Sequence, residues 1–228
     1  MDKVWDDLGC DNRRLVNERI SAYYRHPIWL LNGLFVESHQ LSLEHRSSIS
    51  KWIVQSGVNS MLDYGGGFCS LSRMVSDMNE NIAIDVLEPF PAAVSLKIVA
   101  LYPQIQFENV IKKNYDCIVA LDVLEHVPDP LRLLAEMLHG LRLGGKLLIG
   151  NCFHPVIKCH LPKTFHFNNS FCKIAEKMNL DFQETIENSH VQIYQKNSSA
   201  PLLWYKVRLE ELRSKISYKL RNTLSFIR

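Results

Sequence analysis

The chain has 228 residues, 46% of them apolar and 22% charged, with a net charge of +2 at pH 7, the composition of a globular protein with one main domain and extensions. An acidic amino-terminal decapeptide without a long apolar core gives no expectation of a secretory leader, and the most apolar segment, His26 to Phe35, is far shorter than the roughly 18 residues of a spanning helix. The expectation is a cytoplasmic protein, with the six cysteines, none in a C-x-x-C pair, as free thiols in a reducing compartment.

Residues 11–57 read mostly as helix, with Leu43, Ile49, Trp52 and Ile53 near one face and Gly57 as the stop. Within this cap Tyr23, Tyr24, His26, Trp29, Asn32 and His39 lie close together in sequence. Its polar members are candidates to line a pocket, while Trp29, Leu30, Leu34 and Phe35 read as an apolar face packed on a sheet. From Val58 short apolar runs alternate with helices, the pattern of a parallel sheet covered on both faces. Strands are expected at Val58 to Asp63, Ile82 to Glu88, Ile105 to Glu108, Tyr115 to Leu121 and Gly145 to Gly150, with helices near 68–79, 90–101 and 129–140. Two further runs, Leu180 to Ile186 and Val191 to Gln195, are separated by four residues and pair as an antiparallel hairpin. The fold class is α/β: a doubly wound, Rossmann-like, seven-stranded sheet with an inverted strand at its edge.

The first strand runs into Asp63-Tyr64-Gly65-Gly66-Gly67-Phe68-Cys69. Glycines at such a turn let a ligand approach the backbone, and the following helix offers unpaired N–H groups. A dinucleotide fingerprint requires a third glycine where Ser70 stands. An acid two residues before the first glycine suits a ligand carrying an ammonium group, and S-adenosylmethionine has one.

Together, "MLDYGGGFC", "IDVLEPFPAAV", "YDCIVALDVLEHVPDP" and "LRLGGKLLIG" resemble, in order and spacing, the motifs of class I S-adenosylmethionine-dependent methyltransferases. The resemblance covers Val58 to Gln195 and implies a cofactor site made of Asp63, Gly65, Gly66, Gly67, Glu88, Pro89, Asp122 and Val123, with Cys69 in place of the family's last glycine. Glu88 is the acid expected on the ribose hydroxyls; Asp85, in mid-strand, is the alternative. The segment after the third strand is short, so Glu108 or Asn109 would have to read the adenine.

Asp122 ends the fourth strand, Glu125 and His126 follow three and four residues later, and His154 follows the fifth strand. Ligands bind outside the carboxyl ends of such strands. Either His126 or His154 is then a general base, or Asp122, Glu125, His126 and His154 hold a divalent cation such as magnesium. The second reading has a resemblance behind it, because some quinone-ring and RNA-ribose O-methyltransferases carry an acid-x-x-Glu-His element as metal ligands. A third reading has Glu125 and His126 only brace the turn. Further on, His160 and His166 stand in an aromatic-rich loop expected to form a lid over an acceptor.

From Pro201 to Arg228 there are seven basic and two acidic residues, a net of +5. Apolar residues at 202, 205, 209, 212, 216, 220, 224 and 227 draw one stripe on a helix. Packing of that stripe on the domain or in a homodimer ranks first, peripheral contact with an anionic membrane second, and nucleic acid is disfavoured. The expected division is a helical cap at 1–57, an S-adenosylmethionine domain at 58–197 and a basic amphipathic helix at 198–228. The expected activity is methyl transfer to a hydroxyl oxygen of a small molecule or glycan. The alternatives are methyl transfer to nitrogen or carbon, and a non-catalytic cofactor-binding partner protein.

Overall fold

The computed structural model describes residues 1–225. Four helices, α1 (Asp2–Asp7), α2 (Asn17–Tyr24), α3 (Ile28–Ser38) and α4 (Gln40–Gln55), precede the first strand. The strands are β1 (Ser60–Tyr64), β2 (Ala83–Leu87), β3 (Ile105–Phe107), β4 (Tyr115–Leu121), β5 (Leu141–Gly150), β6 (Leu180–Thr185) and β7 (Gln192–Lys196). Between them lie α5 (Ser70–Met78), α6 (Ala93–Val99), α7 (Pro130–Gly140) and α8 (Phe171–Glu176), and α9 (Trp204–Ser225) closes the chain.

The seven strands form one sheet in the order β3-β2-β1-β4-β5-β7-β6. The first five are parallel, while β7 runs antiparallel to both β5 and β6. The inverted strand is therefore β7, one place inside the edge expected for it, because β7 adds directly to β5 and its hairpin partner β6 takes the rim. Side-chain alternation explains how one sheet serves two cores: on β4, Cys117 and Val119 face one layer and Ile118 and Ala120 the other, all four fully buried.

One crossover departs from the pattern. β3 is separated from β4 by β2 and β1, yet only residues 108–114 connect them, where a parallel crossover ordinarily takes a dozen or more residues and a helix. The α7 side of β2 is left without a helix of its own. Asp85 of β2 stands there and is neutralised by the crossover itself, its carboxylate 3.0 Å from Lys112 Nζ and 2.5 Å from the Tyr115 hydroxyl. Beside it opens a groove of about 650 Å³ lined by Tyr64, Leu87, Asn109, Ile111, Ala135 and Trp204.

The segment after β5 is not the loop its composition indicates. Pro162–Asn169 winds into 3₁₀ turns with Thr164, Phe165, His166 and Phe167 buried, and Phe167 joins Phe153 and Phe171 in an aromatic cluster. His166, expected at a lid, instead meets α9, with Nδ1 2.8 Å from the Ser214 hydroxyl. On α9, Val207, Glu211 and Ser214 are buried, and Arg208 reaches Asp129 at the start of α7. Leu202, ahead of the helix, packs against the core, whereas Tyr205, Leu209, Leu212, Ile216 and Leu220 face outward, so the helical part of the apolar stripe does not pack on the domain. Ile227 of the expected stripe and Arg228 lie outside the described residues, as does the side chain of Leu224. Among the described residues no helix is long and apolar enough to cross a membrane.

This orientation of α9 is open to test by chemical denaturation. Val207→Ala empties a fully buried position and is expected to cost about 2 kcal/mol. Leu212→Ala on the outward face is expected to change stability by less than about 0.5 kcal/mol. The reverse ranking would contradict the orientation.

Candidate active site

The tips of β1, β2 and β4 converge on one cleft. After Tyr64 the chain must reverse sharply. Gly65 takes φ +74, and a Cβ there would stand 2.6 Å from Val123 Cγ2, so Val123 rests on the turn at a place where no side chain is tolerated. Cys69, in the family's glycine position, also adopts a left-handed conformation with φ +58 and is buried. A strained non-glycine residue at this place is what a functional turn holds by its surroundings.

Glu88 ties the turn to the tip of β2: one carboxylate oxygen accepts from Gly67 N–H at 3.1 Å and the other from Phe90 N–H at 3.0 Å. With Asp85 engaged at mid-strand by Lys112 and Tyr115, Glu88 is the acid at the cleft. Pro89 is exposed beside it. Glu108 is occupied by Lys112 at 2.8 Å, and Asn109 lies exposed in the neighbouring groove.

Asp63 lies beneath the turn rather than open to it. It is 4% exposed and accepts a 2.6 Å hydrogen bond from Ser72 on α5. Burial pushes its carboxyl up to about 6, against the opposing pull of Ser72 and Arg46. Arg46 of α4, unmarked in the sequence, sits in the combined field of Asp122, Asp63 and Glu37, which counters the lowering of its own pKa by burial. Asp122 is exposed at the end of β4 with φ +53.

The cap closes over this cleft through contacts no motif announces. Ser70 donates to Glu37 of α3 at 2.8 Å, and Arg73 pairs with the same carboxylate. α3 approaches the turn so closely that a Cβ on Gly33 would stand 2.5 Å from the Phe68 ring. Tyr24 of α2 stacks on Trp29 at 5.1 Å and on Phe90 at 5.7 Å and meets the His126 ring edge-on at 6.3 Å. It therefore spans from the β2 tip to the β4 tip. The pocket-lining expectation does not hold for Tyr23, which is fully buried against Trp5. Nor do Leu30, Leu34 and Phe35 pack on the sheet; they are exposed on the outer face of α3.

After β4, a 3₁₀ turn (Leu124–His126) brings together Glu125, His126 and His160, whose ligand atoms all lie within 4.8 Å of one another. Glu125 is fully buried. Its Oε1 accepts from Cys152 N–H at 2.7 Å, which braces the turn, while its Oε2 is buried with no hydrogen-bond partner. Burial first, then the nearby Asp122 charge, pushes this carboxyl up to about 7. His126 is drawn down to about 4 by burial and by His160. Its Nδ1 lies 3.2 Å from the Cys159 carbonyl, and Nδ1 of His160 lies 2.6 Å from the His154 carbonyl. A carbonyl only accepts, so each Nδ1 carries the proton and, in the neutral ring, each Nε2 keeps its lone pair. The His154 side chain is exposed and outside this cluster, as is Asp122. The sequence placed His160 in a lid rather than in this cluster because the turn at 154–160 folds back on itself, with His160 N–H donating to the Ile157 carbonyl.

A sequence profile described as a methyltransferase domain matches residues 37–197. No curated protein matches the chain. Among solved structures, the fold is similar to human N-acetylserotonin methyltransferase in complex with S-adenosylmethionine, with a TM-score of 0.59, 18% identity and 86% of this chain covered. It is also similar to an O-methyltransferase family protein from Burkholderia thailandensis, with a TM-score of 0.57, 14% identity and 81% covered. The CurJ carbon methyltransferase gives a TM-score of 0.57, 11% identity and 79% covered. The chain spans 62%, 61% and 58% of these three proteins respectively, and at such identities the likeness is one of fold.

The raised carboxyl of Glu125 has a consequence for stability. A buried acid whose folded pKa lies near 7, against an ordinary 4.5, stabilises the fold fully below about pH 4.5 and loses that contribution as pH rises through 7. In chelator-containing buffer, Glu125→Gln is expected to be more stable than the natural chain at pH 8, by on the order of 2–3 kcal/mol. The difference should shrink toward zero at pH 5. Thermal unfolding at the two pH values measures it, and a pH-independent difference would contradict the assignment.

Proposed function

Since the chain belongs to the methyltransferase domain family, whose profile spans residues 37–197, we propose that this S-adenosylmethionine-dependent enzyme methylates a hydroxyl oxygen of a small molecule or glycan. In this reading the ribose hydroxyls meet Glu88, the methionine part runs along Gly65, Gly66 and Gly67, Val123 borders the adenine, and Asn109 takes the adenine edge. Asp63 acts from beneath, holding the turn through Ser72 and adding negative charge under the cofactor's cationic end.

The reaction is an in-line displacement. The acceptor oxygen forms a bond to the methyl carbon, the carbon–sulfur bond breaks, S-adenosylhomocysteine leaves, and the hydroxyl proton passes to a base or to water. Most of the acceleration comes from holding donor and acceptor in attack geometry, worth about 7–11 kcal/mol. A neutral hydroxyl nonetheless needs help with its proton, whereas many nitrogen acceptors already offer a lone pair. The observation that carries the oxygen reading is the cluster of Glu125, His126 and His160 at the β4 tip.

That cluster supports a cation more than a general base. A base works best near the operating pH, and His126 is held near 4. One orphaned carboxylate oxygen and two imidazoles with anchored Nδ1 atoms are a donor set that suits zinc or iron better than magnesium, which prefers oxygen. When bound, a divalent cation would lower the pKa of the acceptor hydroxyl. His154, exposed on the rim, is the remaining imidazole available to take the proton there.

Three experiments test this reading. With methyl-labelled S-adenosylmethionine and a metabolite extract, the protein is expected to form a labelled methyl ether; a labelled N-methyl or C-methyl product would overturn the oxygen assignment. Glu88→Ala is expected to weaken S-adenosylhomocysteine binding by roughly tenfold to a hundredfold, as loss of hydrogen bonds to a charged group of about 1.5–3 kcal/mol implies. Removal of divalent cations by chelation is expected to abolish product formation while leaving S-adenosylhomocysteine binding intact. Unchanged turnover would remove the cation.

A further inference from the structure

α9 turns its apolar face to water. Tyr205, Leu209, Leu212, Ile216 and Leu220 are 47% to 67% exposed. At 1.5 Å per residue they form a stripe roughly 22 Å long. The opposite face is locked to the domain by polar contacts: the Ser214 hydroxyl donates to the His166 carbonyl at 2.9 Å, and Arg208 bridges Asp129 and Glu211. The helix cannot roll its leucines inward without breaking these bonds.

The rims of the stripe are basic. Lys206 and Arg213 follow one side and Arg208, Lys215 and Lys219 the other, as the 3.6-residue period places them. Trp204–Ser225 carries six basic residues against two acidic ones, a net of +4. Both acids are turned away from the stripe: Glu211 is buried and paired with Arg208 and Lys215, and Glu210 is paired with Arg213.

A second copy of the chain fits this face poorly. The four-three-four spacing of Tyr205, Leu209, Leu212 and Ile216 is a coiled-coil seam, but the four positions bordering it are Lys206, Arg208, Arg213 and Lys215. Two such helices would bring like charges together along both borders. The next seam position is Lys219, which ends the apolar repeat after two heptads. A surface that is apolar inside and negative at its boundary complements both features at once, as a bilayer with acidic headgroups does.

We propose that the outward face of α9 docks on an anionic lipid surface, with the stripe from Tyr205 to Leu220 entering the interface and Lys206, Arg213, Lys215 and Lys219 on its borders lying among the headgroups. The whole chain remains peripheral, held by this helix.

Cosedimentation of the full chain with vesicles tests the proposal. One set is phosphatidylcholine alone, the other phosphatidylcholine mixed with phosphatidylglycerol. Binding is expected to the mixed vesicles, to fall with added salt, and to be weaker on phosphatidylcholine alone by on the order of tenfold or more. Leu212→Gln with Ile216→Gln, and separately Lys206→Glu with Lys219→Glu, alter exposed positions and should leave thermal unfolding unchanged. Each pair is expected to reduce binding to mixed vesicles by on the order of tenfold. Equal binding to both vesicle types, binding to neither, or binding indifferent to the variants would overturn the proposal. So would a dimer that the glutamine variant dissociates in a protein that does not bind vesicles, which would assign the face to a second copy.

Discussion

The carboxylate of Glu88 accepts one backbone N–H from the glycine turn and one from the segment that follows its own strand. This pair of charge-assisted bonds holds the tips of β1 and β2 as a single unit. Everything else at the cleft is built around that unit. Val123, from the tip of β4, rests where Gly65 has no side chain, and Phe68 fills the space that Gly33 of the cap leaves open. Phe90, whose N–H is one of the two donors, is also the platform on which Tyr24 stacks. Left-handed residues at Cys69 in the turn and at Asp122 after β4 keep their shape because three strands and a helical cap converge there.

Charge is handled differently on the two sides of this unit. Beneath the turn, Asp63 is buried with only Ser72 bound and Arg46 in its field, a costly arrangement that a cationic ligand above it would relieve. Beyond β4, Glu125 keeps one oxygen without a partner in the company of two imidazoles. A protein selected only for stability would fill or neutralise such places; under the proposed function both stand where methyl donor and acceptor would meet. The surface shows a comparable tension on α9, where hydrogen bonds hold a hydrophobic stripe in water.

Much of the fold was legible because fully buried parallel strands read as continuous apolar runs, and Asp129-Pro130 marks the start of α7 with a capping side chain and a proline at its first turn. The glycine turn and the acids at the strand tips were legible for a similar reason: glycines and strand-end acids serve backbone geometry, which local sequence controls. Asp85 reads as mid-strand in the sequence, which favoured Glu88, and the short crossover engages Asp85 through Lys112 and Tyr115. What the sequence hid depends on tertiary contacts. The 3₁₀ turns at Pro162–Asn169 lack the 3.6-residue period. The ring of His160 reaches His126 only because the chain folds back after β5, so the nearer His154 looked the better candidate. The stripe on α9 was visible, but its outward orientation was set by Ser214 and Arg208, which carry no pattern of their own.

The most direct measurement is a crystal structure of the protein grown with S-adenosylhomocysteine. The account requires the ribose hydroxyls on Glu88, the homocysteine part along Gly65 to Gly67, and the sulfur turned toward Glu125, His126 and His160. A nucleoside bound elsewhere, or a cleft that admits the ligand with its sulfur directed away from the β4 tip, would contradict it.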